Sequence, residues 1–476
     1  MNNINTAYQA LIEAQMNALF SQYPGLRDIL QALQQQGARA YLVGGSVRDI
    51  VLQLPIKDYD IEVHGIELEP LRTLLENFIP VDLVGKSFGV LRSFTIPVDW
   101  SLPRSDAAGR KPVVHIDTSL TIEEALKRRD LTMNAMAINM HTNELIDPFN
   151  GLRDIEQKVL RSPDPYFFIQ DPLRFFRVVQ FISRFEMLPD EALTEVCKKM
   201  DLTEISRERI EQEFEKLFLL SKKPSLGLRW YQSISRLKEL LPELAILSNV
   251  PQEPAWHPEG DVFEHTMQAI DIAATNTGLD RMTHLKLLYG VLCHDLGKAT
   301  TTRMIDGRLR SYEHEIAGVP FAQSLLKRIT ENHELIGTVS LLVRHHMSPG
   351  MFVKHNSSAR AYKRLALQLS SHTNLELLTL LADADRRGRQ VDRHIPKERD
   401  ADIMKFAERA REYGVFEKPE EPIVKGRDLL TMVEAGPILG TLVKRAYEIQ
   451  IEENIHDKSE LIKRVMSGIK KLEKKL

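Results

Sequence analysis

An abrupt change of pattern along the chain constrains its fold more than any other feature of the sequence. Between residues 38 and 146, short β-rich runs such as RAYLVGG, DYDIEVHG and GVLRSFTIPVDWSL alternate with turns and helical stretches, which is typical of a small α/β domain. Residues 1–37 and the chain beyond Asp154 have almost entirely helical apolar spacing. We therefore predict an α+β protein with a small α/β head followed by a long all-α body.

Breaks rich in proline divide this body. A chain of 476 residues is too long for one hydrophobic core, so several domains are expected. Proline breaks fall near Pro163, in PQEPAWHPEGD and in KPEEP. We predict the following parts: N-terminal helices 1–37, a head 38–160, a helical neck 161–250, a further helical domain 251–395 and a C-terminal helical tail 396–476.

The composition limits the classes of partner. The chain has 63 Lys+Arg against 66 Asp+Glu, a formal net charge of −3, so any contact with RNA must be a local basic patch. Cys197 and Cys293 cannot form a disulfide framework, which favours a cytoplasmic protein. The sequence has neither a signal-peptide pattern nor a long apolar run, so we expect no export and no membrane partner.

A glycine turn precedes a helix, and paired acidic residues follow it. Gly44 and Gly45 end the strand YLVGG, and Asp58 and Asp60 flank Tyr59 at the start of the next strand. Glycines let the backbone approach phosphate oxygens, and the helix after them directs amide groups at an anion. Alternation along a strand puts both carboxylates on one face, where they can share divalent cations. This arrangement favours metal-dependent phosphoryl transfer.

A third carboxylate on a neighbouring strand would complete a site for two metal ions. Asp99 in FTIPVDWSL is our candidate, and Arg48 is a candidate phosphate contact beside the glycines. Each half of the pattern has a common alternative, because two glycines before a helix are widespread and a lone pair of aspartates is usually a solvated loop or strand edge. At this spacing the two halves together predict a transferase that uses Mg²⁺.

The same blocks resemble a known family. LVGGSVRD followed by KDYDIEV resembles the signature of class II tRNA nucleotidyltransferases and bacterial poly(A) polymerases, members of the polymerase-β-like superfamily. KRRDLTMNA resembles the second motif of that family, which implies that Arg129 and Asn134 help to bind the incoming nucleotide. A capping box at Thr121 and Glu124 predicts that a helix begins there and carries Arg128, Arg129 and Asn134.

The segment QDPLRFFR resembles the nucleotide-selecting helix of these enzymes. Asp171 and Arg174 are three residues apart, so on a helix they share a face, where an acceptor and a donor fork can read the Watson–Crick edge of C or A. The resemblance implies this role for both, and a phosphate or base contact for Arg177. The alternative is an intrahelical ion pair, worth about 0.3–0.5 kcal/mol. Many relatives have glutamate in place of Gln170 and arginine in place of Gln180.

A second candidate site lies in the helical region. It comprises His265, His294 and Asp295 in CHDLGK, and Asp383 or Asp385 in LLADADRRGR. Imidazole and carboxylate ligands suit a divalent metal such as Mg²⁺, Mn²⁺ or Ni²⁺. The set resembles the HD superfamily of metal-dependent phosphohydrolases. The resemblance implies ligand roles for His265, His294, Asp295 and Asp385, and the choice between Asp383 and Asp385 stays open.

Further histidines stand between these residues. His314 in YEHEIAG and His345-His346 in LLVRHHM could supply more ligands, a second metal or a phosphate contact. A surface or capping role is the alternative for each of them. The HD resemblance implies hydrolysis of phosphoesters, with 2′,3′-cyclic phosphates at damaged RNA ends as one candidate substrate.

The last part of the chain also carries a resemblance. IVKGRDLLTMVEAGPILG resembles the C-terminal helical region of many CCA-adding enzymes, which implies contacts with tRNA. Solvated charges on a packing module are the alternative for any single basic residue there.

Taken together, these resemblances imply an enzyme that adds CCA to tRNA 3′ ends without a nucleic-acid template, from CTP and ATP, with no DNA partner. A poly(A) polymerase and a partial enzyme that adds only CC or only A are the nearest alternatives. An RNA-binding HD phosphohydrolase with an inactive head is an alternative of another class. The oligomeric state is not predicted.

Overall fold

The computed structural model describes residues 2–84, 89–106 and 114–472. The chain divides into two compact units, Met1–Leu217 and Phe218–Leu476, and the boundary falls within the helix Arg207–Leu220. The finer division into five parts stays a prediction. Within the described ranges, no helix combines the length and the apolar character needed to cross a membrane.

The first unit contains helices and strands in this order: α1 (Asn2–Gln22), α2 (Gly25–Gln35), β1 (Arg39–Val43), α3 (Gly45–Val51), β2 (Tyr59–His64), α4 (Leu68–Glu76), β3 (Val81–Val84), β4 (Val90–Ser93), β5 (Val98–Ser101), β6 (Arg104–Asp106), β7 (Val114–Ile116), α5 (Ile122–Lys127), β8 (Ala137–Asn139), β9 (Leu145–Ile146), α6 (Gly151–Glu156), β10 (Val159–Leu160), α7 (Pro165–Phe168), α8 (Leu173–Phe185), β11 (Leu188–Pro189), α9 (Glu191–Lys199) and α10 (Arg207–Leu220).

A mixed sheet forms the centre of the head. Its strand order is β3-β4-β5-β2-β1-β8-β9. β2 and β5 pair in parallel, whereas β1 pairs in antiparallel fashion with both β2 and β8. Tyr41 and Val43 of β1 pack with Ile122 and Leu126 of α5 in a buried cluster. The α/β head and the helical N-terminal pair therefore agree with the sequence prediction.

The segment after the capping box differs from its prediction. Thr121 and Glu124 do form the box, because the Thr121 hydroxyl accepts from the Glu124 amide at 3.3 Å. The helix ends at Lys127, however, so the prediction that it carries Arg128–Arg129 and Asn134 is wrong. Asn134 instead lies in a 3₁₀ turn.

Tertiary contacts explain the early end of this helix. The Thr132 amide donates to the Arg161 carbonyl at 2.8 Å, and the Thr132 hydroxyl donates to Asp154 Oδ2 at 2.6 Å. A Cβ at Gly151 would lie only 2.4 Å from the Thr132 carbonyl oxygen, so α6 can approach this turn only because residue 151 is glycine. These contacts hold the KRRDLTMNA segment as a loop beside the sheet.

The second unit is mainly helical, with elements in this order: α11 (Ser225–Ser233), α12 (Leu237–Leu240), α13 (Pro242–Ala245), α14 (Val262–Ala274), α15 (Arg281–Cys293), α16 (Lys298–Thr301), β12 (Arg303–Ile305), β13 (Arg308–Arg310), α17 (His314–Ile329), α18 (His333–His345), α19 (Ser348–Lys354), α20 (Ala359–Leu369), α21 (Leu375–Arg387), α22 (Ala401–Glu412), α23 (Gly426–Leu429), α24 (Pro437–Glu453) and α25 (Lys458–Leu472).

Helices α14, α15, α18 and α21 pack against one another and form the centre of this unit. A Cβ at Gly290 of α15 would lie 2.9 Å from Leu342 and 3.0 Å from Leu381, so glycine permits the close approach of these helices. Residues of α24 and α25, among them Leu442 and Leu461, form a separate small core.

The β12–β13 hairpin departs from the nearly all-helical prediction for this region. Its strands pair in antiparallel register around Asp306 and Gly307, whose φ angles are 51° and 73°. An Asp-Gly pair between short apolar and basic runs favours a tight hairpin turn, so the signal was present in the sequence.

Candidate active sites

The glycine turn of the head lies directly against an arginine. Gly44 has φ 69°, and a Cβ built there would lie 3.2 Å from Arg129 Nη1. Both the left-handed backbone and this close approach require glycine. α3 begins at Gly45. The turn thus brings its backbone close to the Arg129 guanidinium group.

The predicted acidic residues come together at the edge formed by β2 and β5. β2 begins at Tyr59, so Asp58 immediately precedes the strand. Asp60 and Asp99 lie opposite each other in the parallel register of β2 with β5. Burial raises the pKa of Asp60, Arg129 opposes this rise, and the neighbouring Asp99 and Asp58 raise it further. Carboxylates that repel one another in this way suit a shared divalent cation.

Ser46, which the sequence analysis did not single out, connects the glycine turn to these acids. Its hydroxyl donates to the Asp58 carbonyl at 3.1 Å and accepts from the Asp60 amide at 3.2 Å. Ser46 is the second residue of α3, and a serine in the first turn of a helix is common, so only the fold reveals this role.

A cavity of about 380 Å³ opens beside the acids. Carboxylates and guanidinium groups share its wall, which suits a triphosphate accompanied by a metal ion. The charged residues that line it are Asp60, Glu62, Arg92, Asp99, Arg104, Arg128 and Arg129.

Glu62 is a functional candidate that the sequence analysis missed. It is buried, with Oε2 3.3 Å from Arg129 Nη2 and 3.6 Å from Arg128 Nη2, while Oε1 lies 3.1 Å from His64 Nε2. Burial alone would raise the pKa of Glu62, but the His64 hydrogen bond and the two arginines lower it to about 2. Glu62 continues the alternation of Asp58 and Asp60 along β2, and this was the available signal.

Arg92 binds the third candidate carboxylate. Its Nε and Nη2 donate to Asp99 Oδ1 and Oδ2 at 2.9 and 2.7 Å, a bidentate pair between adjacent strands. The contact orients Asp99 toward the cavity wall that Arg92 also lines.

Other predicted nucleotide-binding residues form a hydrogen-bonded chain rather than part of the cavity lining. Arg48 Nη1 donates to Asn134 Oδ1 at 2.8 Å, and Asn134 Nδ2 donates to Asp130 Oδ1 at 2.9 Å. Arg177 Nε donates to Asp130 Oδ2 at 2.6 Å. Burial opposes ionisation of Asp130, yet Arg177 and Asn134 lower its pKa to about 2. This series of hydrogen-bonded side chains braces the loop on which Arg129 lies.

Asp171 does not share a helical face with Arg174, and this part of the prediction is wrong. α8 begins at Leu173, and Asp171 precedes it with Oδ1 accepting from the Leu173 amide at 3.1 Å. Its carboxylate contacts Arg209 Nη2 at 3.2 Å. Pro172 stands between Asp171 and the helix, which explains why the helix starts later.

Arg174 uses its guanidinium group on backbone carbonyls. Nη1 donates to the Phe167 carbonyl at 2.6 Å and Nη2 to the Arg128 carbonyl at 2.8 Å. Arg174 therefore ties the start of α8 to the loop of the second motif. Gln180, where many relatives have arginine, is buried, and its amide nitrogen has no hydrogen-bond partner in the described parts of the chain.

In the second unit, a histidine from α14, one from α17 and those that directly follow α15 and α18 converge. Each has Nδ1 beside an acceptor: His265 beside Glu259 Oε1 at 2.8 Å, and His294, His314 and His346 beside the carbonyls of Val291, Ser311 and Val343, each at 2.7 Å. A carbonyl only accepts hydrogen bonds, so in His294, His314 and His346 Nδ1 carries the proton. Their Nε2 atoms therefore present lone pairs, the arrangement expected of metal-binding histidines.

These Nε2 atoms meet around Asp295. His294 Nε2 lies 3.2 Å from Asp295 Oδ2, and His314 Nε2 lies 3.3 Å from Asp295 Oδ1. His265 Nε2 lies 3.1 Å from Asp385 Oδ1 and 3.3 Å from His294 Nε2. We call His265, His294, Asp295, His314, His346 and Asp385 the histidine–aspartate cluster.

The donor set of this cluster fits divalent cations. His314 Nε2 and His346 Nε2 face each other at 3.1 Å, although both Nδ1 atoms already hold the proton. Facing lone pairs repel unless a cation lies between or beside them. Asp295 belongs to two sets of side chains whose ligand atoms lie close enough together to hold a metal ion. One set contains His265 and His294, and the other contains His314 and His346.

The cluster includes Asp385 and leaves Asp383 outside. Asp383 Oδ2 contacts Arg387 at 3.0 Å and Arg399 at 3.3 Å, and Asp383 Oδ1 accepts from the Asp400 amide at 2.9 Å. Burial opposes ionisation of Asp385, but Arg389 and His265 hold its pKa well below the usual range. His346 rather than His345 belongs to the cluster.

Comparison with known proteins gives the family. Residues 40–161 match the family described as Poly A polymerase head domain. The Multifunctional CCA protein of Alkalilimnicola ehrlichii is 34% identical over 363 residues, covering 74% of this chain and 84% of the relative. That of Methylobacillus flagellatus is 38% identical over 317 residues, covering 65% of this chain and 74% of the relative.

A solved structure supports the fold over nearly the whole chain. The Bacillus stearothermophilus CCA-adding enzyme in complex with CTP is 20% identical, with a TM-score of 0.61 over 95% of this chain and 99% of that chain. The acidic residues of β2 and β5 and the glycine turn before α3 are consistent with the family of these sequence relatives. The chain therefore belongs to the family of the multifunctional CCA proteins, the CCA-adding tRNA nucleotidyltransferases.

Proposed function

We propose that the chain adds C, C and A in turn to the 3′ ends of tRNA, from CTP and ATP, at the cavity of the head. The observation that carries the proposal is the register of Asp60 opposite Asp99, next to Asp58 and beside an arginine-lined cavity. CCA-adding enzymes of this fold have been solved in complex with CTP, ATP and tRNA. Action on tRNA also favours a cytoplasmic location.

Each group at this site has a distinct task in the proposal. Asp58, Asp60 and Asp99 would hold Mg²⁺, which neutralises charge on the triphosphate when bound. Arg128 and Arg129 would bind phosphate oxygens of the nucleotide. Gly44 and Gly45 would let a phosphate group approach the backbone closely. Arg48, Asn134 and Arg177 would hold the loop that carries Arg129 in place.

Base selection is proposed for Asp171 and Arg174. Their carboxylate and guanidinium groups supply the acceptors and donors that the edges of C and A require. Arg209 and backbone carbonyls engage them in this structure, so an incoming base would exchange with these partners. The exchange lets the same two residues serve C and then A.

Stepwise nucleotide addition tests the transferase proposal. Purified protein is incubated with Mg²⁺ and transcripts of one tRNA that lack CCA, CA or A, with CTP and ATP supplied singly and together. We expect C on the first two transcripts and A only on the third. Runs of A would indicate a poly(A) polymerase, a single active stage would indicate a partial enzyme, and no product would indicate an inactive head.

A second candidate function is supported by the histidine–aspartate cluster. We propose that it is the metal centre of an HD phosphohydrolase, with a divalent metal such as Mg²⁺, Mn²⁺ or Ni²⁺ that polarises the phosphoester when bound. The observation in its favour is the pair of facing Nε2 atoms of His314 and His346 at 3.1 Å. Hydrolysis of p-nitrophenyl phosphate with each metal, and its loss with EDTA, tests the proposal.

A further inference from the structure

A cavity of about 370 Å³ lies over the histidine–aspartate cluster. Asp295, His314, His346 and Asp385 form part of its wall. The rest of the wall comes from the loop before α14, the β12–β13 hairpin region, α19 and α21. This volume exceeds what an inorganic phosphate needs, so the other wall residues decide which phosphoester fits.

Trp256 is an exposed aromatic side chain at this cavity. Its side chain is 62% exposed, although its amide donates to the Glu253 carbonyl at 3.0 Å. The next residue, His257, shares Glu259 Oε1 with His265 of the cluster, each Nδ1 at 2.8 Å. The indole is therefore exposed to solvent on a loop that is fixed to the cluster.

Tyr312 is a second exposed aromatic side chain on the same wall. It is 57% exposed and directly follows Ser311, which connects it to the end of the hairpin at Arg310 and whose carbonyl accepts from His314 Nδ1 at 2.7 Å. The Leu309 amide of the hairpin donates to Glu253 Oε2 at 3.2 Å, so the hairpin and the Trp256 loop are connected. Exposed aromatic rings on fixed backbone suit stacking with a planar ligand.

Cations complete the cavity wall. Arg310, Lys354 and Arg386 line it, and within the described ranges none of them forms an ion pair. Arg389, which also lines it, pairs with Asp385 at 2.8 Å. A Cβ at Gly350 would lie 2.8 Å from Arg386 Nη2, so glycine lets this guanidinium group cross α19 toward the cavity. Cations without acidic partners suit phosphate groups.

We propose that Trp256 and Tyr312 are the specificity-determining residues of this cavity and stack on the base of a nucleotide whose ribose phosphate reaches the histidine–aspartate cluster. The proposal rests on the phosphohydrolase function already proposed for that cluster. Arg310 lies over the Tyr312 ring at 5.9 Å, so a cation and an aromatic ring already stand together on this wall. A base with a phosphate would use both kinds of group, whereas a small phosphate ester without a ring leaves the exposed Trp256 indole without a stacking partner.

Paired substrates test the proposal. Wild-type protein and Trp256→Ala are assayed with adenosine 2′,3′-cyclic phosphate and with glycerol 2-phosphate, a phosphoester that has no aromatic ring to stack. Loss of one base stack should raise KM for the nucleotide about tenfold, with KM for glycerol 2-phosphate changed by less than about twofold. Trp256→Phe should restore most of the nucleotide affinity. Met304→Ala, an exposed residue of the hairpin outside the cavity lining, is the matched control and should change neither value.

A binding measurement separates this inference from the hydrolase proposal. The chain has 3 tryptophans, and Trp256 is the strongly exposed one. Adenosine 2′-phosphate added to EDTA-treated protein should quench fluorescence, and Trp256→Phe should remove that quenching. If wild-type protein cleaves p-nitrophenyl phosphate but Trp256→Ala binds and cleaves the nucleotide normally, the base-stacking inference fails alone. If neither substrate is cleaved, the hydrolase proposal fails, and quenching still decides the inference.

A last experiment distinguishes a free nucleotide from the end of an RNA chain as the ligand of this cavity. A short oligoribonucleotide ending in a 2′,3′-cyclic phosphate is compared with the free cyclic nucleotide. For an RNA end, Lys354→Ala should lower kcat/KM for the oligonucleotide several-fold and leave the free nucleotide unaffected, because only the former has flanking phosphates. Equal effects on both would assign the cavity to free nucleotides.

Discussion

The acidic edge of the head and the histidine–aspartate cluster differ in how much solvent reaches their ligands. Asp60 is exposed overall although its carboxylate is partly desolvated, and the charged groups around that carboxylate at the cavity are other acids and arginines. His265 and Asp295 are 0% and 2% exposed, and hydrogen bonds from Nδ1 to backbone carbonyls fix the imidazole groups of His294, His314 and His346. An open acidic site suits Mg²⁺ that arrives with each nucleotide, whereas a buried, braced site suits a resident metal. Each prediction below separates one site from the other.

The largest effect should follow removal of the paired acids. Asp58→Ala with Asp60→Ala removes two candidate metal ligands, and nucleotide addition should fall by more than about a thousandfold. Incorporation of radiolabelled CTP into tRNA measures this, and hydrolysis of p-nitrophenyl phosphate should stay at the wild-type rate. Asp28→Ala, exposed on α2, is the control. Addition at the wild-type rate in the double variant would show that the metal assignment is wrong.

Asp295→Asn should impair the histidine–aspartate cluster and leave the acidic site of the head unaffected. Asp295 contacts histidines on both sides, so its loss should reduce bound metal and lower hydrolysis more than about a hundredfold, with CCA addition unchanged. Metal content by mass spectrometry after dialysis is the direct readout. Asp385→Asn should behave alike, whereas Asp383→Asn should keep metal and mainly lower the melting temperature. Metal loss in Asp383→Asn alone would reverse the choice between these aspartates.

Glu62→Gln should have an intermediate effect, confined to the head. Its pKa of about 2 lies below the ordinary value of 4.5, so its stabilisation is present above pH 4.5 and is lost as the pH falls toward 2. Glu62→Gln should cost about 3 kcal/mol at neutral pH and raise KM for CTP and ATP about tenfold, because Arg128 and Arg129 lose their partner.

Chemical denaturation at several pH values checks the Glu62 prediction. The stability difference between wild type and Glu62→Gln should shrink below pH 4.5, and the exposed Glu69→Gln control should show no such trend. A difference independent of pH would mean that Glu62 is not ionised in the folded protein.

The smallest effect should come from Asp171→Ala, which changes selection more than chemistry. Loss of a charged hydrogen-bond acceptor should reduce discrimination of C and A against U and G about tenfold, with a smaller change in kcat for CTP. Single-nucleotide incorporation measures the preference. Arg209→Ala, which releases Asp171 from its partner, should keep the preference. An unchanged preference in Asp171→Ala would remove its proposed role in base selection.

Residues whose partners are close in sequence were predictable. The capping box of Thr121 and Glu124 was confirmed because its hydrogen bonds span three residues. The helix after it was predicted too long, since Thr132 forms its hydrogen bonds with Asp154 and Arg161 instead of continuing the helix. The shared helical face of Asp171 and Arg174 was wrong for a local reason that Pro172 already indicated.

Residues whose roles depend on distant partners were missed or left open. Glu62 acquires its role from arginines more than 60 positions away, and Arg92 from the pairing of β4 with β5. The choice between Asp383 and Asp385 depends on which face of α21 meets α14, and two aspartates two residues apart on a helix point in different directions. Roles for His314 and His346 likewise required the packing of α17 against α18.

The sequence by itself determined the α/β head, the helical body, the glycine turn, the acidic pair and the family resemblance, because these depend on local periodicity and short motifs. The tertiary structure decided that Asp99 faces Asp60, that Glu62 holds the arginines and that histidines in or directly after four helices meet at Asp295. Such contacts join residues far apart in the chain, and only the packing of strands and helices sets the distances between them.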